Sequence, residues 1–162
     1  NGYENVVTTQ AAVADRVGSS TLYLTDLDSG RHSMFHHGLP ERGSATVETT
    51  TVDTFLESND WPQVDLVKID VEGAEVPVLD GMSGLIKRSP GLKLIVEFNP
   101  ALLQDGGAPP LEFLERLASS GWEIQIIDDP GGLQPLEEGS NPELVDRLLA
   151  ADSSVNLYCQ RK

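Results

Sequence analysis

The stretch Val64-Asp65-Leu66-Val67-Lys68-Ile69-Asp70-Val71-Glu72-Gly73-Ala74-Glu75 constrains the fold more than any other part of the chain. Its first half is a short apolar run broken only by Asp65 and Lys68. Rich in Val and Ile and followed by a glycine, it reads as a buried parallel strand. The strand ends on a carboxylate, Asp70. Gly73 permits a tight turn, and Ala74 onward reads as a helix. Asp70, Glu72 and Glu75 therefore fall between the carboxyl end of a strand and the start of a helix. That is the edge where open α/β sheets bind ligands. Glu72 and Glu75 have a second explanation, because acids in a first helical turn stabilise it through its dipole. Asp70 is harder to dismiss as a mere cap of the next helix, because a carboxylate ending a buried strand must find a partner.

The other segments extend this pattern. Val6–Gln10 is a β-branched strand, and Ala11–Ala14 is a run of small residues after it. Thr21–Thr25 alternates as a half-exposed strand, and Ala45–Thr51 is another β-rich run. Between them, Asp26–Ser44 is a long polar loop holding all three histidines. Asp53 is the expected N-cap of a short helix over Thr54–Ser58. Ala74–Met82 reads as a helix, with Pro77 tolerated because it falls in the first turn. Leu85–Arg88 reads as a separate short helix. Leu92–Phe98 is a second buried strand, again with a carboxylate, Glu97, near its end. Asn99–Ala108 is read as a loop. Pro109 and Pro110 open a helix to about Ser120, with Leu111, Phe113, Leu114 and Leu117 on one face. Trp122–Ile127 is a third strand, Asp128–Ser140 a Gly/Pro-rich loop, Pro142–Ala151 a helix capped by Asn141, and Val155–Gln160 a closing strand. Strands alternating with helices from residue 64 on predict an α/β domain with a mostly parallel sheet.

Composition narrows the partners. The chain has 162 residues, enough for a single domain with a real core. Its net charge of −15 argues against a nucleic-acid backbone or an anionic membrane surface as partner. No apolar run is long enough to cross a bilayer. Cys159 is the single cysteine, so no intrachain disulfide forms. These features predict a cytoplasmic protein acting on small molecules, sugars or other proteins.

Three segments together point to a family. Val67–Glu75, then Val78-Leu79-Asp80-Gly81, then Ile95-Val96-Glu97 resemble the FkbM-type methyltransferases, a branch of the class I S-adenosylmethionine-dependent enzymes. Ala12-Val13-Ala14-Asp15, Val52–Leu56 and Asn156–Cys159 agree with it. The resemblance implies a Rossmann-like sheet in the order 3-2-1-4-5-7-6 with an antiparallel closing strand. On that map Val6–Gln10 is the third strand, Val64–Asp70 the fourth, and Leu92–Phe98, Trp122–Ile127 and Val155–Gln160 the fifth, sixth and seventh. Residues 1–62 then hold the third strand and an insertion over the active-site edge, and residues 63–162 hold the rest of one partial domain. The first two strands have no counterpart here, and no Gly-x-Gly-x-x-Gly occurs. Asn1 opens in what reads as the loop before a strand, so a piece of a longer polypeptide is expected. In that sheet order the fourth strand is left as an open apolar edge, a place for self-association.

The resemblance also implies a cofactor, S-adenosylmethionine, and an O-methyl transfer to a sugar or small natural product. Asp70 and Glu97 are the expected catalytic carboxylates, with one raised by the other to serve as general base. Ala12, Val13, Asp70 and Val71 are expected along the cofactor, and Glu72 and His36 at the acceptor. Asp70, Glu97 and Asn99 are oxygen ligands of the kind Mg²⁺ takes, but the resemblance does not call for a metal and none is expected. Activity is expected of the full-length parent and not of this isolated chain, which lacks the glycine-rich cofactor loop. The rival expectation is a non-catalytic truncated α/β module acting in assembly or partner binding.

Overall fold

The computed structural model describes residues 2–26, 29–38, 40–128, 130–137 and 139–161. The chain forms two mixed sheets and six α-helices among these residues. The first sheet contains β1 (Ala12–Val13), β2 (Gly18–Thr25) and β3 (Glu41–Thr50) in the order β1-β3-β2. A short helix, α1 (Val52–Glu57), follows. The second sheet contains β4 (Leu66–Ile69), β5 (Lys93–Phe98), β6 (Trp122–Asp128), β7 (Gly132–Pro135) and β8 (Val155–Arg161). Its order is β4-β5-β8-β6-β7. Between the strands run α2 (Glu75–Asp80), α3 (Ser83–Arg88), α4 (Pro100–Asp105), α5 (Pro110–Ser119) and α6 (Asn141–Ala151).

The sheets are mainly antiparallel in their pairings, not mostly parallel. β4 and β5 are parallel, as are β1 and β3. β8 inserts between β5 and β6 and runs antiparallel to both, and β7 folds back on β6 as a hairpin. β4, β5 and β6 still point the same way, which is why the sequence alternates strand and helix there. The order of β4, β5, β8 and β6 is the one the resemblance implies for its last four strands, and it is consistent with a Rossmann-like methyltransferase fold.

Packing explains why the pattern misleads. Leu94, Val96 and Phe98 of β5 are fully buried, and their odd-numbered neighbours are not. That period of two means the sheet is sealed on one face only. The sealed face meets Val78, Leu79, Met82 and Leu85 of the α2–α3 region and Leu103, Phe113, Leu114, Leu117 and Leu148 of α4, α5 and α6. β4 is an edge strand, with Leu66 50 % exposed and Ile69 buried. The expectation of a fully buried strand there is corrected. A strand with one neighbour and one covered face buries only alternate residues. Among the described residues, no helix is long and apolar enough to cross a membrane.

Four boundaries also differ from expectation. Val6–Gln10 forms no strand; the segment is exposed and has no ladder partner among the described residues, and pairing begins at Ala12 with Thr49. β propensity alone does not make a strand where no neighbour accepts the backbone. Asn99–Ala108 is not all loop: Asn99 Oδ1 accepts from the amides of Ala101 and Leu102 and starts α4. The Gly/Pro-rich segment after β6 contains β7. The cap of α6 is Ser140, not Asn141.

Asp53 is the most informative correction. The cap of α1 is Thr51, whose Oγ1 accepts from the Thr54 amide at 2.9 Å. Asp53 instead reaches across to α3 and accepts from the amides of Gly84 at 2.6 Å and Leu85 at 2.8 Å. It thus satisfies two free donors of a different helix and locks α1 onto it. Replacing Asp53 by Ala is expected to cost about 1–2 kcal/mol in urea denaturation, and Asp53→Asn less than half of that.

Candidate active site

The site is built where β4 and β5 end side by side. Their ladder pairs Ile69 with Val96, so Asp70 leaves β4 next to Glu97 in β5, on the face opposite the sealed one. The chain then turns through Glu72 at φ 50° and Gly73 at φ 93° before α2 begins. Two successive positive φ values reverse the chain within one turn, closed by the Ala74 amide on the Val71 carbonyl. A glycine is obligatory at the second position. A Cβ on Gly73 would lie 2.5 Å from the Leu102 carbonyl oxygen. Glu72 is not a glycine, and holding it left-handed costs roughly 1–2 kcal/mol. The turn carries its side chain back toward the strand ends. As a result, oxygens of Asp70, Glu72 and Glu97 all lie within 4.8 Å of one another.

Three carboxylates this close must be held apart in charge. Lys68 donates to Asp70 Oδ2 at 2.7 Å, and this bond holds the Asp70 carboxyl below its ordinary range. Burial pushes Glu97 up, and Asp70 adds to the rise, although the Ser154 hydroxyl donates to Glu97 Oε1 at 2.7 Å. Burial also raises Glu72, with Glu97 and Asp70 contributing. The three groups thus divide into one ready anion and two carboxyls that keep a proton more readily. Behind them, Glu75 is 3 % exposed; its Oε1 accepts from the Gly73 amide at 3.2 Å and its Oε2 has no partner among the described residues. Asn156, opposite Glu97 across the β5–β8 ladder, also has a buried oxygen without a partner.

The cluster is therefore made of oxygen acceptors, with Lys68 as the cation bonded to it. Such a set suits a cationic or hydroxyl-bearing ligand. The same oxygens could ligate a divalent cation. Asn99, part of the metal set considered from the sequence, is not in it, because its side chain is used to cap α4. His36 is not in it either: it is exposed, 2.6 Å from Glu41, with its ring tilted 37° against Tyr23. Val71 lies in the turn beside Asp70. Ala12 and Val13 lie in the other sheet, paired with Thr49 and Thr50. Ala12 lines a cavity of about 680 Å³ with Thr9, Gln10, Leu22, Val47 and Glu48. A larger cavity of about 770 Å³ lies between α5, β7 and α6, and none of its lining residues belongs to the carboxylate cluster. The chemistry is concentrated at the cluster, and size alone does not move it.

The family model described as the methyltransferase FkbM domain matches residues 2–124. The chain belongs to the FkbM methyltransferase family. The matched region contains the whole β4–turn–α2 unit and Glu97. A hexuronic acid methyltransferase, AglP of Haloferax volcanii, is similar to this FkbM chain at 39 % identity over 51 residues. The similarity covers 32 % of the chain and 21 % of the relative, so it spans about a fifth of that protein. No solved structure matches the chain.

Sequence reasoning missed Ser33 and His37, which both contact Glu72. Ser33 Oγ donates to the Glu72 carbonyl at 2.7 Å, and His37 Nε2 lies 2.9 Å from the same oxygen. Nothing in a run of polar loop residues distinguishes His37 from His36. The separation from Glu72 is 39 residues for Ser33 and 35 for His37, beyond any local pattern.

Glu75 gives a pH prediction. Burial raises its folded value above 4.5, so the folded state holds the proton to higher pH than the unfolded chain. Its contribution to stability is full below pH 4.5 and is lost as pH rises through the folded value. Glu75→Gln cannot ionise. In urea denaturation it is expected to exceed the wild type in stability at neutral pH and to lose that advantage below pH 4.5.

Proposed function

We propose that this chain is part of an S-adenosylmethionine-dependent methyltransferase that methylates a hydroxyl oxygen of a sugar or related small molecule. The observation that carries the proposal is the convergence of Asp70, Glu72 and Glu97 at the ends of two parallel strands. The all-acceptor character of the cluster fits a positively charged cofactor. S-adenosylmethionine, when bound, supplies an electrophilic methyl group on a sulfonium. Asp70, kept ionised by Lys68, faces the positive end, with the Val71 backbone alongside. Ala12, which lines the 680 Å³ cavity, and its neighbour Val13 are assigned to the adenine end.

Glu97 is assigned as general base. An alcohol is a weak nucleophile until its proton has somewhere to go, and a carboxylate with a raised pKa accepts it more readily. S-adenosylmethionine held beside Asp70 and Val71 would supply the methyl group to the acceptor oxygen, its sulfur keeping the electron pair of the broken bond. The hydroxyl proton passes to Glu97. Glu72 positions the acceptor. Most of the acceleration comes from holding the reactants in line.

A second reading is favoured by the similarity to a hexuronic acid methyltransferase. A hexuronic acid carries a carboxylate, and methylation there gives an ester. A carboxylate acceptor has no proton to lose and needs no base. Glu97→Gln separates the two. With a hydroxyl acceptor it is expected to lower kcat by about 10²–10⁴-fold, and with a carboxylate acceptor it should lower kcat far less. Asp70→Asn is expected to weaken S-adenosylmethionine binding in calorimetry. Absence of cofactor binding by the full-length polypeptide would overturn the enzyme reading and favour a non-catalytic module.

A further inference from the structure

We infer that Ser33 and His37 are positioning residues that hold the carboxylate cluster together by gripping the Glu72 carbonyl. The inference goes beyond methyl transfer, and its test uses no substrate. The two residues come from the β2–β3 connection, far from the cluster in sequence. Ser33 is 2 % exposed and is anchored to β2 through paired backbone bonds with Tyr23. Its hydroxyl donates to Glu72 O and accepts from the Phe35 amide, so it has no freedom to rotate away. The His37 side chain is 4 % exposed. Its Nε2 lies 2.9 Å from Glu72 O, and its Nδ1 lies 3.0 Å from Asp105 Oδ2 at the end of α4. The Glu72 carbonyl oxygen can only accept, so the tautomer with its proton on Nε2 donates to it.

Both lone pairs of one carbonyl are thus taken by side chains of the other sheet's connection. The grip acts at the residue whose backbone is least comfortable, since Glu72 is left-handed without being a glycine. It is also tied down from the other side: the Gly73 turn lies against Leu102, and the position a Gly73 Cβ would take is 3.2 Å from His37 Cε1. Without the two donors, the turn is held only by the Ala74 amide on the Val71 carbonyl and the Gly73 amide on Glu75 Oε1. Releasing it would swing the Glu72 carboxylate away from Asp70 and Glu97. His36, next in sequence, bonds Glu41 and does not contribute.

The test uses the full chain and three variants, Ser33→Ala, His37→Gln and Ser33→Thr. Amide exchange at Gly73 and Ala74 reads the turn, and exchange at Leu94 and Val96 reads the core. Ser33→Ala and His37→Gln are each expected to speed exchange at the turn by about tenfold relative to the core, and Ser33→Thr, which keeps a hydroxyl, to restore it. A second readout follows the cluster itself through the carboxyl carbon signal of Glu72 at fixed pH. Glu97→Gln should move that signal in the wild-type background and leave it unmoved when Ser33 is Ala. If turn and core amides change equally, or if Glu72 responds to Glu97 regardless of Ser33 and His37, the inference is overturned. Methyl transfer can fail independently, because neither readout depends on it.

Discussion

The parallel pairing of β4 with β5 is the contact on which the site depends. With Ile69 opposite Val96, the two strand ends place Asp70 and Glu97 on the same face. A slip of one residue would send one carboxylate to the sealed face, among Leu94, Val96 and Phe98. The buried side chains that fix this register are therefore the same ones that bring the carboxylates together. The unsealed face needs no such apolar cover, and it is there that the carboxylates lie.

Electrostatics sharpens that arrangement. Like charges within 4.8 Å of each other raise one another's affinity for protons. Lys68 breaks the symmetry by pairing with Asp70 alone. Asp70 and Lys68 are both about half exposed, so their ion pair contributes little stability. Its effect is on which carboxylate is ionised. Glu97 and Glu72 are more buried and respond in the other direction. Cys159, by contrast, is buried in β8 with its thiol pushed up to about 12, and it is a packing residue.

The sequence conveyed the part of the site that is local. Asp70, Val71, Glu72 and Gly73 are contiguous, and a carboxylate ending a strand before a glycine announces itself. Glu97 was found because β5 repeats the same pattern. The strand-helix order from residue 64 was also readable, since periodicity reports which faces are covered. What could not be read is what depends on distant neighbours. The antiparallel placement of β8 is a property of the sheet, not of Val155–Gln160. Val6–Gln10 has strand composition and no partner. Asp53 looked like the cap of its own helix and caps another one, 31 residues away. Ser33 and His37 act on Glu72 across a similar gap. Side chains that reach between elements leave no periodic trace.

A structure of the full-length polypeptide with S-adenosylhomocysteine bound tests most directly whether the carboxylate cluster is the ligand edge of this FkbM chain. The ligand's sulfur is expected beside Asp70 at the mouth of the β4–β5 pair, with Glu97 open to an acceptor on the far side. Ligand density in the cavity between α5, β7 and α6 instead, with the cluster untouched, would contradict it.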